Sequence, residues 1–312
     1  MTFVLGAVGL ALLFVGGESL VRGASALALR LGLSPLAVGL TVVAFGTSTP
    51  ELVVSLDAAL AGAHDIAIGN VVGSNIANLT LILGIAMLVG PAVVQAKTVR
   101  IDAPLVVVVS LWLLLILLDA RVTRFEGLVL FLALVVFTGL TLAQSRRESR
   151  VVRKEFADAI EPVMRSMTAS FALVLLGLVG LVLGGRWFLE AAIQLARFAG
   201  MSESVIGLTI VAVGTSLPEL VTSVVAALKG HGDIAVGNVL GSNLFNSLGI
   251  LGVTASVVPL QVTIGWATLW LMVGTAAAVL VLGMAGTRLS RIDGGVLLAV
   301  YVAYTGWLLA GG

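Results

Sequence analysis

Cysteine is absent from the 312 residues, which excludes disulfides, zinc–thiolate sites, iron–sulfur clusters and thiol nucleophiles. Histidine occurs only at His64 and His231. Charge is scarce as well: Asp, Glu, Lys and Arg make up 11% of the chain, less than half of the roughly 25% of an ordinary soluble domain. Seventeen basic and sixteen acidic residues leave a formal net charge of +1, so no basic face exists for DNA or RNA. Apolar residues, by contrast, make up 59% of the chain. They recur in runs of about 20, the length that lets a helix cross a ~30 Å hydrocarbon layer. A polytopic membrane protein follows. The first basic residue, Arg22, lies well inside the opening apolar run, so that run reads as a span and not as a cleaved signal peptide.

Breaking the runs at their polar punctuation predicts ten helices, at 2–29, 36–61, 66–90, 103–119, 126–144, 168–198, 204–228, 234–258, 264–285 and 292–310. The long polar stretch from Gln144 to Met167 holds Arg146, Arg147, Arg150, Arg153, Lys154 and Arg165, and divides the chain into 1–144, a linker at 145–167, and 168–312. With the linker in the cytoplasm, Arg30, Lys97, Arg100, Lys229, Arg288 and Arg291 also fall inside, and only Arg121, Arg124 and Arg197 fall outside. This satisfies the positive-inside rule and puts both termini outside. The richness in Ala, Leu, Val and Gly suits a prokaryotic plasma membrane.

An internal repeat sets the architecture. Gly39 to Asn78 reads GLTVVAFGTSTPELVVSLDAALAGAHDIAIGNVVGSNIAN, and Gly207 to Asn246 reads GLTIVAVGTSLPELVTSVVAALKGHGDIAVGNVLGSNLFN. At a constant offset of 168, 27 of these 40 positions are identical, which chance does not produce. Five spans per half make the second copy enter the membrane from the opposite side. The expected fold is therefore an all-α membrane protein of ten transmembrane helices in two inverted five-helix repeats. Secondary transporters are built in this way, with the site at the repeat interface.

Each repeat places a carboxylate near mid-membrane: Glu51 in Gly46-Thr47-Ser48-Thr49-Pro50-Glu51, and Glu219 in Gly214-Thr215-Ser216-Leu217-Pro218-Glu219. A charged acid at that depth costs about 2.5–3.5 kcal/mol or more, so it faces a cavity or a partner. Pro50 and Pro218 loosen the helix just ahead of each acid and leave carbonyls around Ala44 to Gly46 and Ala212 to Gly214 short of donors. With the hydroxyls of Thr47, Ser48, Thr215 and Ser216, the inventory is wholly oxygen. Such a set suits hard alkali or alkaline-earth ions. The following spans add Ser74 and Asn78 on one helical face and Ser242 and Asn246 on another. These side chains are either ligands or interhelical hydrogen bonds, and the second role is nearer for Asn75 and Asn243, a quarter-turn away, than for Ser74 and Ser242. Gly69, Gly73, Gly237 and Gly241 form ridges suited to close helix approach.

The two GTSxPE segments and the two GNxxGSNxxN segments resemble the α-repeats of the Ca²⁺/cation antiporter superfamily. The GTSxPE form resembles its Na⁺/Ca²⁺ exchanger branch, including bacterial members related to the K⁺-dependent exchangers. The likeness implies a secondary active antiporter that exports Ca²⁺ against Na⁺ by alternating access. It implies Glu51 and Glu219 as central metal ligands, completed by Thr47, Ser48, Thr215, Ser216, Ser74, Ser242 and the carbonyls of Ala44 and Ala212, with Asn78 and Asn246 closing the ring. The best-known exchangers carry an acid in place of one of these asparagines, so only two carboxylates face the cations here. The proton-driven branch usually shows GNxxE in place of GTSxPE, which ranks an H⁺/Ca²⁺ antiporter second. No enzyme activity is expected. No cofactor beyond the transported ions (Ca²⁺ and Na⁺, with K⁺ or H⁺ as further candidates) is implied, and no obligate protein partner beyond the lipid bilayer.

Glu18 and Arg22 stand four apart in the first span, and Arg186 and Glu190 hold the same repeat positions with the signs exchanged; each couple reads as an ion pair within its helix. Gly16, Gly17, Gly184 and Gly185 suit close packing or motion of those two helices. Asp57, with Val225 opposite it in the repeat, reads as a vestibule acid or a surface residue. Two rival classes compete with this reading. Gly230-His231-Gly232-Asp233 matches the GxGD string of intramembrane aspartyl proteases, but its repeat copy Gly62-Ala63-His64-Asp65 does not, and Asp65 and Asp233 read as caps of the next helices. A cation channel could also use acidic residues, but two opposed half-sites favour a carrier.

Overall fold

A computed structural model describes residues 2–93, 95–145, 166–200, 212–262, 264–286 and 288–310. It is helical apart from four two-residue strands. The helices are α1 (Thr2–Leu31), α2 (Leu36–Thr47), α3 (Thr49–Leu60), α4 (His64–Val89), α5 (Thr98–Asp119), α6 (Arg124–Ser145) and α7 (Met167–Phe198), followed by α8 (Ala212–Gly214), α9 (Leu217–Leu228), α10 (Gly232–Val257), α11 (Trp266–Ala285) and α12 (Arg291–Leu309). Eight of these are long and apolar enough to cross a membrane, or nine when the bent pair α2–α3 is taken as one span. Their bounds follow the apolar runs of the sequence closely. The seventh predicted span, 204–228, is described only from Ala212 onward, and the basic cluster of the linker also lies outside the described residues.

The distribution of polarity is that of a membrane protein. Phe125, Leu132 and Val136 of α6, Phe171 and Leu176 of α7, and Ile292 and Val302 of α12 are exposed, whereas Ser, Thr, Asn and Glu side chains of α2, α3, α4, α9 and α10 are buried at the centre. Apolar groups facing outward cost nothing in hydrocarbon, so the core is free to gather hydrogen-bonding groups. Two antiparallel ribbons tie the halves together: β1 (Ala92–Val93) pairs with β4 (Arg288–Leu289), and β2 (Arg121–Val122) pairs with β3 (Leu260–Gln261). Reciprocal caps start the helices after two of these strands. Thr123 with Glu126 opens α6 and Ser290 with Asp293 opens α12.

α1 and α7 run antiparallel along a seam of glycines spaced seven apart. A Cβ added at Gly9, Gly16 or Gly23 would stand 2.6, 2.8 or 2.8 Å from the backbone nitrogens of Phe188, Leu181 and Val174. From the other side, Gly177 and Gly184 stand equally close to Leu20 and Leu13. Only glycine lets two backbones approach so nearly. The ridge of Gly237 and Gly241 is similarly filled, by the carbonyls of Leu36 and Leu40. No described residue lies within 4 Å of a Cβ at Gly69 or Gly73, whose repeat-related counterparts of Leu36 and Leu40 are Ser204 and Leu208, outside the described residues.

Two expectations about charge need correction, and a third is extended. Glu18 and Arg22 do pair, at 2.8 Å, but Glu18 is shared with Lys229, whose Nζ lies 2.9 Å away and binds α1 to the end of α9. The matching Arg186–Glu190 pair is not formed among the described residues; Glu190 instead accepts from Gln194 at 3.4 Å. An i,i+4 spacing brings two long side chains within reach, but an exposed ion pair gains too little to hold them together. Asp65 and Asp233 are not caps. Ala63 and His231 occupy those positions, and the acids lie in the first turn of α4 and α10, where the helix dipole favours them. Asp233 accepts from Gln95 at 2.7 Å, and Asp57 is exposed.

Candidate functional site

The bend between α2 and α3 is 45°. It falls at Ser48, whose φ of −84° and ψ of 10° leave the helical region, and Pro50 enters the next helix at its first turn. Ser216 repeats this conformation, with φ −89° and ψ 12°, ahead of Pro218. Proline lacks the donor needed to continue the preceding turn but is well suited to begin a new one. The consequence is that Glu51 and Glu219 each sit in the first turn of a helix that starts inside the protein.

Both glutamates are 1% exposed. Ser48 Oγ donates to Glu219 Oε1 at 2.6 Å, and Ser216 Oγ donates to Glu51 Oε1 at 3.0 Å. Each serine therefore serves the acid of the other repeat, so the two carboxylates belong to one cluster. Ser74 joins it, 3.5 Å from Ser216 Oγ. The second oxygen of each acid, Glu51 Oε2 and Glu219 Oε2, is buried without a hydrogen-bond partner among the described residues. So are Ser242 Oγ, Thr215 Oγ1, and both amide atoms of Asn78 and of Asn246. A buried polar atom without a partner costs about 1–3 kcal/mol, and more when it is charged. Oxygens left without a donor at both acids suit them to hold a cation.

Asn78 and Asn246 each lie at a π-helical stretch, Asn78–Ile82 in α4 and Phe245–Ile250 in α10. The wider turn rotates the side chains around it out of the regular helical register, a device common at functional sites. Asn75 and Asn243 act as interhelical bonds: Asn75 Nδ2 donates to Ser247 Oγ at 2.8 Å, and Asn243 Nδ2 donates to the carbonyl of Asn75 at 3.1 Å. The carbonyl of Ala44 is less open than its place before the proline suggests, because it accepts from Ser48 N at 3.0 Å and from Thr47 Oγ1 at 3.3 Å. In the other copy, the turn closes from Ser216 N to the carbonyl of Val213.

Two asparagines of the GNxxGSNxxN segments, outside the expected ligand set, also hold this cluster. Asn70 Nδ2 bonds to the Glu51 carbonyl at 3.1 Å and to Ser55 Oγ at 2.9 Å. Asn238 Nδ2 bonds to the Glu219 carbonyl at 3.4 Å and to Ser223 Oγ at 2.9 Å. Identity of both asparagines across the repeats was the available signal. Which backbone they grip was not.

Helices of membrane-spanning length around a buried, oxygen-lined pair of acids define a multi-pass membrane protein of the cation-transporter class. The sodium/calcium exchanger protein family matches residues 1–143 and 169–310, and the chain belongs to it. It is 38% identical to the putative antiporter CaxA of Alkalimonas amylolytica over 308 residues, 95% of each protein. It is 33% identical to the sodium/calcium exchanger MaX1 of Methanosarcina acetivorans over 97% of each. The inner membrane protein YrbG of Escherichia coli is 37% identical over 81% of this chain and 78% of its own length. Among solved structures, the sodium-calcium exchanger NCX_Mj superposes with a TM-score of 0.86 at 28% identity, covering 98% of both chains. The family is one of antiporters and not of enzymes.

Proposed function

We propose that the chain is a secondary antiporter that exports Ca²⁺ in exchange for Na⁺, binding both ions midway through the membrane. The halves 1–144 and 168–312 then form two inverted five-helix repeats around the ions, with the linker 145–167 in the cytoplasm of a prokaryotic cell and both termini outside. Glu51 and Glu219 supply the charge. Thr47, Ser48, Thr215, Ser216, Ser74, Ser242, Asn78, Asn246 and the carbonyls of Ala44 and Ala212 supply neutral oxygens.

The observation that carries this reading is the pair of buried carboxylates, each with one oxygen held by a serine of the opposite repeat and one oxygen without a partner. Two such charges match one divalent cation, and the surrounding oxygens suit hard ions that take 6–8 oxygen ligands. The names of the relatives MaX1 and NCX_Mj support the same pair of ions. ⁴⁵Ca²⁺ uptake into proteoliposomes under separate Na⁺, K⁺ and proton gradients tests it. Na⁺-driven uptake lost in both Glu51→Gln and Glu219→Gln is expected. Uptake undiminished in the two variants would overturn the site, and uptake driven only by the proton gradient would replace Na⁺ with H⁺.

A further inference from the structure

We infer that Asn238 is a positioning residue that couples the two repeats at the ion site, and that it makes the two half-sites unequal. The inference rests on the site proposed above. Asn238 is fully buried, and three of its hydrogen-bonding capacities are used. Its amide nitrogen holds the backbone carbonyl of Glu219, fixing the turn that carries the acid, and it also bonds Ser223. Its Oδ1 lies 3.2 Å from Thr47 Oγ1 of the first repeat, which shares its one proton between this amide oxygen and the carbonyl of Ala44 at 3.3 Å. With the proton held on that side, the remaining lone pairs of Thr47 turn elsewhere, so Asn238 helps to orient the Thr47 oxygen as an acceptor-type ligand.

The repeat-related arrangement is incomplete. Asn70 holds the Glu51 carbonyl and Ser55 in the same manner, but Thr215 Oγ1 has no hydrogen-bond partner, and Asn70 is only half-buried. Thr47 is thus a preset ligand, whereas the Thr215 hydroxyl is free to turn. An amide behind a ligand acts as the outer partners of metal sites do, fixing orientation and sharpening affinity.

The test is a pair of double-mutant cycles on the Ca²⁺ concentration giving half-maximal uptake in proteoliposomes. Asn238→Ala should raise it about 10-fold or more, the usual loss when an outer partner of a metal ligand is removed. Thr47→Val should add little further in the Asn238→Ala background, because the orientation it depended on is already lost. Asn70→Ala and Thr215→Val should multiply independently. General destabilisation leaves both cycles multiplicative, so a non-additive first cycle beside an additive second separates positioning from mere packing. If Asn238→Ala does not fold, Asn238→Ser, which is too short to reach Thr47, takes its place in the same cycle. Multiplicative effects in the first cycle, or an unchanged half-maximal concentration in the Asn238 variant, would overturn the inference. Retained uptake in Glu51→Gln and Glu219→Gln would instead overturn the underlying site.

Discussion

Ser48 stands three residues before Glu51, and the spacing invites the reading that the two act together. They do not: each hydroxyl reaches the acid of the opposite repeat. A hydrogen bond to a charged group contributes about 1.5–3 kcal/mol, so Ser48→Ala and Ser216→Ala should each raise the half-maximal Ca²⁺ concentration about 10-fold. Ca²⁺ titration of ⁴⁵Ca²⁺ uptake checks this, and a loss confined to the maximal rate would contradict it. Glu51, Glu219 and their hydroxyl neighbours were legible because acids in an apolar run demand an explanation. The crossing of the serines was not, since side-chain reach across a repeat interface leaves no trace in local spacing. The grip of Asn70 and Asn238 on the glutamate carbonyls was hidden for the same reason.

At the scale of the helices, hydropathy placed the described spans, and Pro50 marked the bend, because both effects act over a few consecutive residues. The glycine seam of α1 and α7 was only half visible. Gly16 and Gly184 stand out in the sequence by their place in long helices, but the seven-residue rhythm of Gly9, Gly16 and Gly23 gains its meaning from the backbone opposite. Replacing Gly16 with Leu should drive a side chain into the backbone at Leu181 and cost about 1–3 kcal/mol or more. Gly139 of α6, with no atom within 4 Å of its would-be Cβ, is the matched control. Thermal unfolding in detergent, followed by size-exclusion chromatography, should show Gly16→Leu destabilised or lost and Gly139→Leu unchanged. The ion pairs followed a different logic. Glu18 took Lys229 as well as Arg22, because a partner from another helix is not encoded in a four-residue spacing, whereas the exposed Arg186 and Glu190 form no pair among the described residues.

For the molecule as a whole, the proposed mechanism rests on charge balance. In the proposed cycle one Ca²⁺, or Na⁺ ions spread over neighbouring oxygens, would neutralise Glu51 and Glu219; the ion-free protein would have to carry two unpaired carboxylates through a conformational change in low dielectric, which is costly. Exchange should therefore be obligatory. Vesicles loaded with ⁴⁵Ca²⁺ should empty rapidly only when a counter-cation is present on the other side, and equally fast efflux without one would refute the mechanism. Unitary currents would point to a channel.

Composition and the 168-residue repeat were enough to establish a polytopic membrane protein with two related halves and an acid in each, since membrane length, burial of charge and internal identity are properties of the chain as written. The sharing of each glutamate with the other half, the amide of Asn238 joining Thr47 to the Glu219 turn, and the reach of Lys229 to Glu18 all depend on residues far apart in the chain meeting at one place. Distances of that kind arise when helices pack, and near-identical repeats do not pack into identical surroundings.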